Sequence, residues 1–360
     1  MKPDLSKPFI TVLITVLICG FAMFKSEANP RQKILFNFDW KFHRGEVKNG
    51  YIADFNDSAW RTLHLPHDWS IEDIPGTNSP IDSAAIGGIN TGYYVGGTSW
   101  YRKTFEVAKD WSGKKLSVYF EGVYMNSEVW LNGQHLGNHP YGYTAFEYDI
   151  TELVKTGEKN VIAVQVKNEG RNSRWYSGSG IYRHVWLNVT EPVCVKTWGV
   201  SITTPEVSKE RATVNIQTQI KNETSENRSL QVVTRILKGS GIEIAKTQSS
   251  QQMNAATELS EIQSVQIESP ELWSTENPNL YTAVIEIQDE KGKLLDLVEE
   301  TFGIRSIEFS VEKGFLLNGV PTLLKGGCMH HDNGPLGAAA YDRAEERRVE
   351  LMKASGFNAI

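Results

Sequence analysis

The chain has 360 residues, 40% of them apolar and 22% charged, with a net charge of −6. That length suits two or three domains, and the composition excludes a disordered or collagen-like chain. No basic cluster stands out, which argues against nucleic acid as a partner.

The first predicted element is a targeting segment. Lys2 and Lys7 precede an apolar run from Phe9 to Phe24, and Ser26-Glu27-Ala28 puts small residues at the −3 and −1 positions of a cleavage site. This predicts a signal peptide over 1–28 and an exported protein, periplasmic or extracellular. A membrane anchor is the rival reading, but the run is shorter than the roughly 20 residues a span prefers. Cys19 raises a lipoprotein alternative, which the bulky Ile18 before it disfavours. Export permits disulfides, yet beyond Cys19 only Cys194 and Cys328 remain. Two isolated cysteines read as buried thiols rather than a bridge.

From residue 31 to 190 the pattern is β. In "KKLSVYFEGV" Leu116, Val118 and Phe120 share a face. Asn132-Gly133 in "SEVWLNGQHLG" is a two-residue hairpin signal. Ile162, Val164 and Val166 alternate next, and then Val185, Leu187 and Val189. Short strands with Gly and Asn turns predict a jelly roll or sandwich over 29–191. Residues 70–99 break the rhythm. A loop this long is either site-forming or disordered, and Tyr93 and Tyr94 point to a site. Trp40, Trp60, Trp100, Trp130 and Trp273 read as core, because large aromatics dominate sandwich cores.

Over 192–303 a second β region follows. Val214, Ile216, Thr218 and Ile220 alternate, as do Tyr281, Ala283, Ile285 and Ile287. This predicts an immunoglobulin-like sandwich without the usual cysteine pair. The texture then changes. "FLLNGVPTLLKGGCM" reads as a hairpin around Asn318-Gly319 leading into an apolar strand, and "YDRAEERRVELMKASG" as a helix. Asp342 is the expected N-cap, Glu345 completes a capping box, and Gly356 fits the C′ position. "FNAI" opens another strand. Strand, loop, helix, strand begins a parallel α/β unit. The pattern over 304–360 therefore predicts the first strand and helix of an incomplete (β/α)8 barrel, in a chain that breaks off inside its third domain.

"NSRWYSGSGIYRHVWL" resembles a signature of the sugar-binding domain of glycoside hydrolase family 2, which holds β-galactosidases, β-glucuronidases and β-mannosidases. "LPHDW", "SWYRKTF", "VWLNGQHLG", "PELWSTENPNLY", "FGIRSIEF", "FLLNGVPTLLKGGCMHHDNGPLG" and "ELMKASGFNAI" agree with it in order. The resemblance covers about 31–360. It implies a jelly-roll sugar-binding domain, an immunoglobulin-like sandwich and a TIM-barrel catalytic domain. It implies retaining hydrolysis of β-glycosides, which needs two carboxyls roughly 5–5.5 Å apart. In the family both are Glu on later barrel strands, so the resemblance implies that neither lies within these 360 residues. The implied partner is a β-linked glycan. No cofactor or metal is called for, and a homo-oligomeric full-length protein is compatible with the resemblance.

Candidate sugar-binding residues follow from position and from the family match. His330, His331 and Asp332 lie past the first barrel strand, at the end where barrel sites form. The resemblance gives His330 the family's active-site histidine. Otherwise they form a loop in which Asp332 orients a histidine. Arg174, Trp175 and Tyr176 offer a fork donor and stacking faces; the competing reading packs Trp175 into the core. Some relatives carry Asp at about the Arg174 position. Arg183 reads as an ion-pair residue. His67 and Asp68 end a strand before the long loop, with Asp68 either near a sugar pocket or bonding its own turn. Asn90 in the loop is a further candidate. The commitment is an exported retaining β-glycosidase, β-galactosidase-like, represented by its N-terminal part. The alternative is a protein that binds glycans without cleaving them.

Overall fold

The computed structural model describes residues 29–239 and 241–360. The expected signal peptide, with Cys19, lies outside the described residues. Among the described residues no helix is long and apolar enough to cross a membrane.

The first unit holds ten strands: β1 (Gln32–Leu35), β2 (Trp40–Arg44), β3 (Arg61–Leu63), β4 (Gly97–Glu106), β5 (Lys115–Phe120), β6 (Ser127–Leu131), β7 (Gln134–His139), β8 (Phe146–Asp149), β9 (Lys159–Asn168) and β10 (Val185–Thr190). They form two antiparallel sheets, ordered β1-β10-β5-β8 and β3-β2-β4-β9-β6-β7. Period-two alternation explains the arrangement. Leu116, Val118 and Phe120 point inward with Ile162, Val164, Val166, Val185, Leu187 and Val189, all in one buried cluster. Each such side chain contributes roughly 1.5–3 kcal/mol by leaving water. Asn132 and Gly133 both take positive φ, 50° and 85°, as a two-residue turn between β6 and β7 requires. Trp40, Trp60 and Trp100 are buried as expected. Trp130 and Trp273 are only half-buried.

The second unit is a seven-stranded sandwich of β11 (Val193–Val207), β12 (Arg211–Asn222), β13 (Arg228–Lys238), β14 (Ile242–Met253), β15 (Thr257–Glu268), β16 (Tyr281–Asp289) and β17 (Leu294–Phe302). Its sheets run β11-β12-β15 and β14-β13-β16-β17. Val214, Ile216, Ile220, Ile285 and Ile287 fill the space between them. Cys194 is buried in β11, but Cys328 is exposed, which corrects the expectation of two buried thiols. The first unit is clasped to the second by Arg31, whose guanidinium donates to both oxygens of the buried Asp296 at 2.9 and 2.7 Å.

A small sheet follows, β18 (Ile307–Ser310), β19 (Gly314–Leu317) and β20 (Val320–Pro321). The hairpin turns at Asn318-Gly319. The apolar strand expected after it is reduced to one parallel bridge, Gly326 to Ala359. A parallel strand draws its bonds from flanking strands. Among the described residues Ala359 is the bridge partner there, and Leu323 stays 75% exposed. Helix α1 (Asp342–Ala354) forms where expected, and Gly356 takes the positive φ of a C′ residue. The predicted capping box does not form. Tyr341 is the N-cap, and Asp342 sits one position inside the helix, accepting from His184 Nε2 at 2.9 Å. Glu345 accepts from Asn333 instead. Partners from outside the helix, one across the domain boundary and one in the preceding loop, replace the local cap.

Candidate functional site

Two distant segments meet above the first sandwich. One is the stretch after β9, carrying Arg174, Trp175 and Tyr176. The other is the loop before α1, carrying His330, His331 and Asp332. Trp175 stacks on His330, ring centroids 5.0 Å apart and planes 27° from parallel. Its indole N–H donates to Asp332 Oδ2 at 3.1 Å. Trp175 is 50% exposed, so the packing reading is wrong: the ring lies on the surface against a polar loop. Arg174 is exposed beside it.

His331 turns the other way. Its ring lies edge-on to Tyr143 at 5.1 Å, near Tyr182. Its Nε2 is buried and has no hydrogen-bond partner among the described residues. Burial holds its pKa below the ordinary histidine value, reinforced by His330 and outweighing the Ser177 carbonyl and the Asp332 and Asp68 carboxylates. The unfolded chain protonates this imidazole near pH 6.5 while the folded chain keeps it neutral. Its contribution to stability is therefore present above about pH 6.5 and is lost as pH falls towards the lower folded value. His331→Phe is expected to flatten unfolding free energy against pH as pH falls below about 6.5, read from urea titrations. An unchanged slope would exclude the assignment.

Asp68 is where the sequence reading needs most correction. It is 2% exposed, so its carboxylate does not face a sugar. Oδ1 accepts from the Ser70 and Ser179 backbone N–H groups at 2.9 and 2.8 Å. Oδ2 accepts from the Ala338 N–H at 2.8 Å and from the Tyr176 hydroxyl. Asp68 does bond its own turn, but it also ties that turn to both segments of the site. Burial and this carboxylate hold the Tyr176 phenol far above its usual pKa, so it stays a donor. The close approach explains Gly178: its φ is +67°, and a Cβ there would lie 2.7 Å from Asp68 Oδ2.

The other candidates stand apart. His67 Nδ1 lies 2.7 Å from the Tyr101 hydroxyl, and Nε2 is 2.9 Å from Glu72 Oε1. Burial alone would raise the Glu72 carboxyl, but His67 and Arg61 hold it below its usual value. Asn90 is exposed on the turn Gly88–Thr91 and meets none of the site residues. Arg183 lies 3.6 Å from Glu121, as its ion-pair reading expected.

Sequence reasoning missed the supports. Arg348 on α1 donates to the His330 carbonyl and to Asn333 Oδ1, bracing the histidine loop. Glu345 holds Asn333 from the other side at 2.6 Å. Their spacing of three on one helix face was the available signal. The tyrosines of "PYGYTAF" were another, since Tyr143 packs on both His331 and Tyr124. Together these residues present an exposed indole, an imidazole and a carboxylate on a braced loop. That set suits stacking on a ring and hydrogen bonding to hydroxyls.

The comparisons with known proteins agree with this architecture. Residues 36–192 match the model of the glycosyl hydrolases family 2 sugar binding domain, and residues 199–305 match that of glycosyl hydrolases family 2. The chain is 43% identical to the β-galactosidase BoGH2A of Bacteroides ovatus over 342 residues, covering 95% of this chain and 39% of that protein. It is 31% identical to a β-glucuronidase of Bacteroides fragilis, covering 92% of this chain and 46% of the relative. A family 2 crystal structure from Bacteroides cellulosilyticus superposes with a TM-score of 0.89 at 46% identity, over 91% of this chain and 42% of that one. The chain thus spans about two fifths of the length of the curated relatives it matches. Two sandwiches in this order, the matched domains and the shared fold lead to one conclusion: the chain belongs to glycosyl hydrolase family 2, and corresponds to its N-terminal region.

Proposed function

We propose that this chain is the sugar-recognising N-terminal part of an exported, retaining β-glycosidase of β-galactosidase type, acting on terminal β-linked sugars of glycans. The observation that carries the reading is the Trp175–His330 stack closed by Asp332, built from two segments about 150 residues apart and braced by α1. Export rests on the charged and apolar pattern of residues 1–28. The galactoside preference rests on the similarity to the Bacteroides ovatus β-galactosidase. The acid/base and nucleophile Glu lie outside these 360 residues, and the chain supplies the wall that orients the sugar.

Trp175→Ala is expected to weaken binding of methyl β-D-galactopyranoside about tenfold, the loss of one aromatic stacking face. Isothermal titration calorimetry reads it; unchanged affinity removes the site assignment. The 360-residue chain is expected to turn over no aryl β-galactoside above background. Turnover abolished by replacing a carboxylate within 29–360 would show that a catalytic pair is present here.

A further inference from the structure

A cleft of about 230 Å³ lies between the 82–97 loop and the 168–178 segment. It shares residues with the supports of the candidate site. Tyr176, next to Trp175 in the chain, lies edge-on to Tyr94 at 4.9 Å, and both line the cleft. Asn172 also lines it and accepts from Tyr124, the ring that packs on Tyr143 beside His331.

The walls are held in place. Asn172 donates to Asn168 Oδ1 at 2.8 Å, and Asn168 donates to the Gly178 carbonyl and to Ser179 Oγ. Across the cleft, Ile81 and Tyr94 form an antiparallel bridge that closes the loop on itself. The long loop is thus an ordered wall.

The lining chemistry is selective. Ala85, Ile86 and Val95 offer apolar surface, and Asp82 and Glu169 offer carboxylates. Among the described residues no Lys, Arg or His lines the cleft. The two arginines bonded to this loop, Arg44 and Arg171, donate to the carbonyls of Val95 and Ile86 instead. Pockets for drug-sized ligands run from roughly 300 Å³ upwards, so this one suits a single ring. A neutral sugar meets both halves of the lining, its apolar face on the aliphatic side chains and its hydroxyls donating to the carboxylates. A uronic acid would bring a third negative charge directly against Asp82 and Glu169, while the two nearby guanidiniums lie behind the lining, on the Val95 and Ile86 carbonyls, and offset it only at longer range.

We propose that this cleft binds a neutral hexose unit of an oligosaccharide whose terminal unit rests on Trp175, and that it excludes uronic acids at that position. The proposal rests on the sugar-site reading above and extends it.

The test titrates the chain by calorimetry with methyl β-D-galactopyranoside, a neutral β-linked galactotriose, and the same triose with a galacturonate as its second unit. The neutral triose is expected to bind about tenfold more tightly than the methyl glycoside. Ala85→Trp, which fills the cleft from an exposed loop, is expected to remove that gain and leave the methyl glycoside unchanged. Glu169→Gln keeps the acceptor for Thr98 Oγ1 and is expected to raise the uronate affinity roughly fivefold. A triose bound no better than the methyl glycoside, a gain that survives Ala85→Trp, or a uronate bound as well as its neutral counterpart each overturns the proposal. So does the absence of any binding at millimolar sugar. If Trp175→Ala leaves every ligand unaffected while Ala85→Trp weakens the triose, the Trp175 site fails and the cleft stands.

Discussion

Asp68→Ala is expected to lower stability by about 3–5 kcal/mol, the largest effect of any single side chain at the site. The carboxylate accepts from the backbone of Ser70, Ser179 and Ala338 and from the Tyr176 hydroxyl, all in a buried junction. Truncation leaves four donors without an acceptor. Each orphaned buried donor costs about 1–3 kcal/mol, and water entering the vacated space recovers part of the sum. Asp68→Asn keeps the volume but turns one acceptor into a donor facing donors, so a smaller loss of about 1–3 kcal/mol is expected. Both variants should also weaken sugar binding, because Tyr176 and Ala338 anchor the segments that carry Trp175 and His330. Urea unfolding followed by calorimetry measures both effects. A loss under about 1 kcal/mol for Asp68→Ala would mean that the junction is held by packing alone.

Arg31→Ala is expected to cost about 3–5 kcal/mol and to uncouple the two sandwiches. Asp296 is fully buried and is held by a bidentate guanidinium and by the Val195 N–H at 2.8 Å. The same guanidinium reaches the Val195 carbonyl at 2.6 Å. Removing the arginine strands a buried charge, which is why one-sided loss is severe. Arg31→Lys replaces a planar fork by a point charge and should recover less than half. The double variant Arg31→Met, Asp296→Leu removes both charges and should lie closer to the native protein than Arg31→Ala does. Separate unfolding transitions in Arg31→Ala, against one in the native chain, would report the uncoupling. Equal losses in the single and double variants would show that the charges do not act as a pair.

These two residues also mark where local sequence stops being informative. The alternation of Leu116, Val118 and Phe120, and of Val214, Ile216 and Ile220, forecasts strands because a half-buried sheet demands period two. Asn132-Gly133 and Asn318-Gly319 forecast hairpins because those residues tolerate positive φ. Arg31 and Asp296 carry no such signal. They are 265 positions apart, and their meeting depends on how two finished sandwiches dock.

The helix end makes the same point at short range. Asp342 and Glu345 satisfy the capping-box spacing, yet both are taken by partners from elsewhere, His184 and Asn333. A local cap contributes about 1 kcal/mol, and a competing bond to a residue outside the helix matches it. Trp175 is the inverse case. A tryptophan before a glycine-rich turn reads as core, but the slot beneath the turn is occupied by Tyr176 and Asp68, so the indole lies outside against His330.

The sequence by itself determined the two β-sandwiches, their order, the turns between strands and the family to which they belong. Those properties depend on periodicity, glycine and asparagine conformations, and motifs read within a few residues. Only the tertiary structure decided which candidates form the site: it joined Trp175 to His330 and Asp332, buried Asp68 as their anchor and left Asn90 apart. A side chain's neighbours across 150 or more residues are set by how packed sheets and loops dock, and that information is spread over the whole chain rather than written beside the residue.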